Sequence, residues 1–402
     1  MASQSGSLIS RQAPLVKALL IAPFCAAVLA IHHFAFARAP ERFDFASAFY
    51  VAAQMLRHGL GRQLFDLSLQ RAFQMHYLHA LGGAFYSPPV VALLYWPTAL
   101  FGVTGGHFLW SLVSLAILFL SSMVLHRALK LGPDALTIFA ITFLFVPVHI
   151  QLLQGQVDIL VLLVLSLALT AMQKRQDFLA GAVLALGLIK FQFILPLAVV
   201  FLLRRRWRLL AGFGVGSSLF VAVCAAISGW GVVLNYPRVL LQLSASPNAG
   251  INQWMMPNLR GLFFVLAHHE APMAVLAGGS LLLLLLGAYA RKSLEQGFAL
   301  AVVVSVLASY HLNPHSLIFL LLPLAVLVKF GARSSSLAFS LCLLGGSVIM
   351  LPALVLHRFA LITIPIGVLA WAISRPVPKL EGRYQPASEA SAVEHPSVSA
   401  AS

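Results

Sequence analysis

The sequence predicts an all-α polytopic membrane protein, and three observations carry that prediction. Of the 402 residues, 60% are hydrophobic and only 9% are charged, whereas a soluble chain holds roughly a quarter charged residues. The apolar residues gather into long runs without period-two alternation, which suits membrane helices and not a barrel. The basic residues fall mostly in short loops between those runs, where they set orientation and meet anionic lipid. A soluble multidomain enzyme is thereby excluded, as is disorder outside the ends. The net charge of +15 has a membrane explanation and implies no nucleic acid partner. Cys25, Cys224 and Cys342 all lie inside apolar runs, so neither a disulfide framework nor a cysteine metal site is expected.

Taken in order, the apolar runs are 14–36, 88–103, 107–125, 135–153, 157–172, 178–202, 209–229, 272–290, 296–310, 314–330, 335–356 and 358–374. They amount to about eleven to thirteen spans. The first follows Arg11 and Lys17 and imitates a secretory signal, but its length and the spans behind it favour a retained helix with a cytoplasmic N-terminal segment, 1–13. Lys174-Arg175, Arg204-Arg205-Arg206-Trp207-Arg208 and Arg291-Lys292 mark the inner side. The first two bracket 178–202, so a single crossing there would break the positive-inside rule. Two half-length helices meeting at Lys190 would return the chain to the inside.

Two segments between runs are long enough to carry function, and both are expected on the outer side. In 37–87, Phe45–Arg57 reads as an amphipathic helix on the membrane surface, stopped by Gly59. In 230–271, Trp230, Asn248, Asn252, Gln253, Trp254, Asn258 and Arg260 cluster. The membrane domain occupies 14–374, and the Pro/Ser/Ala-rich tail, 375–402, is expected to be disordered and cytoplasmic.

Acid–base chemistry needs ionisable groups, and the chain has 11 acids. Asp44 stands out because it follows the first span and precedes the expected surface helix. There it can cap that helix or take a proton from a hydroxyl at the membrane boundary. Gln154-Gly155-Gln156-Val157-Asp158 opens a span, as a helix cap or as a polar floor for a sugar or headgroup. Lys190 sits mid-run among aromatics, either snorkelling or meeting a buried anion. His311 and His315 are four residues apart, a spacing that a helix puts on one face. A zinc site would need a third ligand and HExxH is absent. Because Pro314 suggests a helix start at His315, contact with an anion is the more natural role. Tyr86-Ser87-Pro88-Pro89 is a turn into a helix. No nucleotide-binding or Ser-His-Asp signature is present.

The ordered set of Asp44, Tyr86-Ser87-Pro88-Pro89, Gln154-Gly155-Gln156-Val157-Asp158, Gly187-Leu188-Ile189-Lys190-Phe191 and Ser309-Tyr310-His311 with Pro314-His315 resembles glycosyltransferase family 87. That family includes polyprenol-phosphate-mannose-dependent mannosyltransferases. The chain departs from the usual family forms at Ser87, Asp158, Phe191 and Tyr310. The resemblance covers roughly residues 15–330 and implies a GT-C-type helical bundle with its site at the outer leaflet. It further implies a hexose donor carried on a polyprenyl phosphate, a glycolipid or glycan acceptor, and a catalytic carboxylate that maps to Asp44. The family histidine maps to His311 or His315. Lys190, Arg260 and a histidine would meet the lipid phosphate, and Tyr86, Gln154, Gln156 and Asp158 the substrates. That scheme requires no metal or other cofactor, and a single displacement would invert the anomeric carbon. A bacterial inner-membrane location follows from the same expectation. The competing class is a secondary transporter of an anionic solute, which shares many spans, a broken helix and buried charges. Against it, no repeat relates the two halves.

Overall fold

The computed structural model describes residues 2–245, 252–290, 292–330, 346–353, 355–356 and 358–375, with side chains from residue 16 onward and, in the first stretch, up to 242. The tail from 376, Cys342 and Asn248 lie outside the described residues. Among the described residues every regular element is helical, and the protein is an all-α polytopic membrane protein.

Helices Val16–Arg38, Gly102–Leu129, Asp177–Leu203 and Trp207–Ser228 are long and apolar enough to cross a membrane, and Ala135–Phe143 with Val146–Gln154 form one more such unit bent by 73°. Their outward faces are apolar: Leu20 on the first and Leu219 on the last of the four are 71% and 67% exposed. Such a surface is stable in lipid and would associate in water.

Contacts along the helices fix their directions. Helix α1 (Ala2–Arg38) meets one end of the bundle at Lys17, which pairs with Asp134. It finishes at the other end, where Phe36 stacks on His107 near the start of α5 (Gly102–Leu129) at 3.7 Å. This second end is the site end. Helix α5 returns to the far end, and α6 (Ala135–Phe143) and α7 (Val146–Gln154) climb back. The Asp134 carboxylate accepts from Thr137 N–H to start α6, one of the four donors that a helix N-terminus leaves free. Helix α8 (Asp158–Gln173) runs down again, and Gln173 Nε2 donates to Ala128 O at the base of α5.

Gly155 ends α7 in the left-handed conformation, φ +60°. A Cβ there would stand 2.6 Å from the Phe45 Cβ, so both the backbone and the close approach demand glycine. Gly155→Ala is expected to destabilise by about 1–3 kcal/mol and to loosen the loop that bears Gln154 and Gln156. Thermal unfolding in detergent checks this, and an unchanged Tm would refute it.

The segment 177–203 does not cross, although it has the length for it. A straight 27-residue helix would hold its ends about 40 Å apart. Yet Arg206 Nη2 lies 2.8 and 2.9 Å from the Asp177 carboxylate oxygens. Helix α9 (Asp177–Ala185) rises, a 3-10 turn at Leu186–Lys190 reverses the chain, and α10 (Phe191–Leu203) descends. Helix α11 (Trp207–Ser228) then rises alongside α9, with Gly212 against Phe178 and Gly216 against Ala182. This is the hairpin that the two flanking basic loops require. It places Lys190 at the tip, inside the bundle.

The remaining helices alternate in the same way. Helix α12 (Trp230–Ala245) follows α11 at the site end, where Tyr236 Oη donates to Tyr86 O. Helix α13 (Leu259–Ala267) precedes α14 (Met273–Tyr289), whose lower carbonyls at Gly287 and Ala288 accept from Arg204. Helix α15 (Leu294–Ala308) rises; a 3-10 stretch, Pro314–Leu320, and α16 (Leu321–Phe330) descend to the Lys329–Glu295 ion pair.

Two expectations, one about the first outer segment and one about the run that follows it, need correction. The helix at 45–57 does not lie on a surface. A π-helical turn, Phe45–Tyr50, leads into α2 (Val51–Arg57), and every residue from Phe45 to Met55 is buried. The reason is visible in the residues: between Phe45 and Met55 only Ser47 and Gln54 are strongly polar, and a helix that is apolar all round belongs inside. Both bond within the protein, Ser47 to Phe43 O and Gln54 to Tyr50 Oη and Ala99 O. Helix α3 (Leu67–Leu78) covers this element, and its Gln74 donates to Ser47 O and Gly83 O. The run 88–103 is likewise no crossing. Pro89–Leu100 is a short apolar helix whose last turn returns to α2, where Arg57 and Gln54 meet Ala99 O.

Candidate active site

The site assembles where the 44–50 segment, the loop after α7, the hairpin tip and the 3-10 stretch after α15 converge. Asp44 is helical in backbone, φ −58°, and its side chain makes no capping bond. Its N–H donates to Gln154 Oε1 at 3.0 Å, and its Oδ2 accepts from Gln156 Nε2 at 2.5 Å. Oδ1 has no hydrogen-bond partner among the described residues, and Gly83 packs beside it, where even an added Cβ would stay 3.6 Å away. The local helix is therefore not the reason for an acid at 44.

The Gln156 amide bridges two charges. Its Nε2 serves Asp44, while its Oε1 accepts from Lys190 Nζ at 2.9 Å. A carboxylate only accepts and an ammonium only donates, so the amide has one workable orientation. The loop that holds Gln156 is itself fastened: Trp110 Nε1 and Gln151 Nε2 donate to Gln156 O, and Tyr95 Oη donates to Gly155 O. All of these groups are buried, where a satisfied network is rigid.

Lys190 Nζ also lies 3.2 Å from Asp158 Oδ2 and 3.5 Å from His315 Nε2. Asp158 is 0% exposed. Ser316 Oγ donates to its Oδ1 at 2.6 Å, and its own N–H donates to Gln151 Oε1. The sequence left Asp158 as a helix cap or as part of a polar floor for a sugar or headgroup; in the structure its carboxylate is the counter-ion of Lys190. His315 sits 3.6 Å from the same Asp158 oxygen. His311 and His315 do not share a helical face, because Pro314 starts a new 3-10 helix at Asn313 and leaves His311 in the preceding loop. His311 lies near both Lys190 and Arg260, and burial together with those cations pushes it down to about 4. It is neutral at neutral pH and can donate or accept.

Arg260, in the first turn of α13, is 4% exposed. Its guanidinium stacks 4.2 Å over the Tyr310 ring, and Nη2 reaches the exposed Glu270 at 3.5 Å. Nη1 is buried without a partner among the described residues. Asn258 fixes this corner by capping α13 and donating to Ser309 O. Tyr86 enters through its carbonyl, which accepts from Tyr236, and is not joined to the Asp44 network.

Burial raises the Asp44 carboxyl above the ordinary carboxylate range, opposed by the Gln156 bond and by Lys190. A half-buried carboxylate with one oxygen unpartnered among the described residues, tied through an amide to a cation, is equipped to accept a proton while an anion forms nearby. Gln151, Ser316, Tyr95 and Trp110 were not singled out in the sequence. Gln151 was discoverable, as a polar residue on an otherwise apolar turn of α7, three positions before Gln154.

Residues 85–309 match the family model for glycosyltransferase family 87. No curated protein and no solved structure matches the chain. The matched stretch spans more than half of the sequence and contains Gln154, Gln156, Asp158, Lys190 and Arg260. A helical membrane bundle with an acid and a buried cation joined at one end is in keeping with that match, and the chain belongs to glycosyltransferase family 87.

Proposed function

We propose that this membrane glycosyltransferase moves a hexose, mannose-like, from a polyprenyl-phosphate donor to a hydroxyl of a lipid or glycan acceptor, at the outer face of a bacterial inner membrane. The observation that carries this reading is the Asp44–Gln156–Lys190 bridge, which sets a free carboxylate oxygen and a cation one amide apart.

In the reaction, Asp44 Oδ1 takes the proton of the acceptor hydroxyl as its oxygen bonds to the anomeric carbon. The bond from that carbon to the phosphate oxygen breaks, and the configuration inverts because one displacement occurs. The leaving lipid phosphate keeps the electron pair and is met by Lys190, Arg260 and the histidines. His311, being neutral, contributes a hydrogen bond, and the two side-chain cations contribute the charge. Asp44 afterwards loses its proton to water. Gln154 and Gln156 hold the base. A lipid-borne donor also accounts for the site's place within the bundle.

Sidedness follows from charge: Lys17, Lys174, Arg175, Arg204–Arg206 and Lys329 all lie towards the far end, so the site end faces out. The full chain, reconstituted in liposomes, is expected to transfer hexose from a polyprenyl-phosphate donor with EDTA present. Loss on chelation restored by magnesium or manganese would overturn the metal-free scheme. Transfer from a nucleotide sugar alone would overturn the donor. For topology, Ser47 is 1% exposed and unsuited to labelling, so exposed Ala72 in α3 is the better position. Ala72→Cys should react with impermeant maleimide from outside only, and labelling from the cytoplasmic side would reverse the orientation.

A further inference from the structure

The irregular chain after α3 passes the unpartnered oxygen of Asp44, and two buried glutamines of that helix fasten it there. Gln74 accepts from Gly82 N–H through Oε1 and donates from Nε2 to Gly83 O and Ser47 O. One turn earlier in α3, Gln70 accepts from Phe85 N–H and donates to Phe85 O. Each glutamine is 1% exposed, and a satisfied buried network of this kind is rigid. The two glycines in the wall differ. A Cβ on Gly82 would stand 2.5 Å from Glu41 O and from the Ser47 Cβ, so close packing excludes a side chain there. Gly83 has no such reason to be glycine. Its φ lies outside the left-handed region, and beyond its chain neighbours an added Cβ would meet Asp44 Oδ1 and Ser47 Oγ, each at an ordinary 3.6 Å. What a side chain at 83 would fill is the space beside the Asp44 oxygen that has no partner among the described residues. The two oxygens of Asp44 thus have different surroundings. Oδ2 bonds to Gln156 and through it to the buried Lys190, whereas Oδ1 borders a loop in which Leu81, Gly82 and Gly83 are exposed.

We propose that Gly83 determines which acceptors the enzyme can use: the bare backbone at 83 leaves room for a hydroxyl on a bulky carrier, a glycan or a lipid head, to reach Asp44 Oδ1 from the exposed loop. The part of Asp44 as base rests on the function proposed above, whereas control of access to its oxygen by residue 83 rests on geometry alone. A donor held towards Lys190 and an acceptor held towards Gly83 then meet the carboxylate from different sides, as a single displacement requires. Gln74 is the positioning residue of this wall, and side-chain size at 83 is the variable that acceptor choice follows.

The test uses the full-length protein in nanodiscs and two neutral carboxyl reagents of different bulk, diisopropylcarbodiimide and dicyclohexylcarbodiimide, with adducts at Asp44 located by mass spectrometry. Both reagents are expected to modify Asp44 in the parent. Along Gly83→Ala, Gly83→Val and Gly83→Leu the rates should fall in that order. The fall should be steeper for dicyclohexylcarbodiimide and reach about tenfold or more at Leu, the scale on which a pocket of fixed size discriminates. Gly83→Ala fits at ordinary contact distance, so it should keep the parent's Tm and keep the series readable if a larger variant folds poorly. An unmodified Asp44 in the parent, rates indifferent to residue 83, or equal losses with both reagents would each overturn the proposal. With a polyprenyl-phosphate sugar as donor, Gly83→Leu should lose transfer to the hydroxyls of a cell-envelope extract by a similar factor, while hydrolysis by water, the smallest acceptor, changes little. Parallel loss of transfer and hydrolysis would also overturn it. A parent whose Asp44 is modified as expected but which transfers nothing would count against the function proposed above and leave the control of access by residue 83 supported.

Discussion

Replacing Asp44 by Asn is expected to lower turnover by about a hundredfold or more, the scale of losing a general base, while leaving folding and donor binding close to the parent. Asparagine caps helices about as well as aspartate, so in most settings this substitution could not separate a cap from a base. Here it can. Asp44 makes no capping bond, and its structural tasks are to accept from Gln156 through Oδ2 and to donate its N–H to Gln154. The amide oxygen of Asn can still accept from Gln156, and the backbone bond is untouched. What disappears is the basic oxygen and a negative charge within reach of Lys190. Initial rates, with donor affinity measured separately, check this. Near-parent turnover in the Asn variant would remove Asp44 from the chemistry. Asp44→Ala is the less clean comparison, because Gln156 would then lose its acceptor in a buried place.

The sequence exposed charge more readily than amides. The reversal at Lys190 was readable because Lys174-Arg175 and Arg204–Arg208 flank a run that could not cross without separating them. Asp44 was readable because so few acids exist that each could be weighed. Gln156 was named only as part of a polar floor: an uncharged side chain between two charges leaves no trace in spacing, and its partners are 112 and 34 positions away. The pairing of Asp158 with Lys190 was hidden for the same reason, since it depends on how α8 and the hairpin tip meet. The helix at 45–57 was misplaced because a surface helix and a buried one differ in what covers them. The cover, α3 with Gln70 and Gln74, is a separate element whose apolar content is modest. The short helix Pro89–Leu100 was counted as a span because hydropathy measures how apolar a run is and not where its ends go.

The pairing of Lys190 with Asp158 changes what a substitution at 190 reports. Lys190→Met alone removes the ammonium and leaves the Asp158 carboxylate, 0% exposed, with only Ser316 and His315 for support. An uncompensated buried charge of this kind costs about 3–5 kcal/mol, so the single variant is expected to fold poorly and its inactivity would say little. Asp158→Asn in the same chain removes the second charge and keeps the size, and Ser316 Oγ can still donate to the Asn oxygen. The double variant is therefore expected to recover most of the lost stability, as a double-mutant cycle on a contacting pair should show. Activity then separates the roles. If Lys190 meets the departing phosphate, the recovered protein stays about a hundredfold or more below the parent, with donor binding weakened as well. If Lys190 only balances Asp158, activity returns with the fold. Thermal unfolding and single-turnover rates on the same detergent preparation distinguish these outcomes, and a stable, active double variant would confine Lys190 to a structural part.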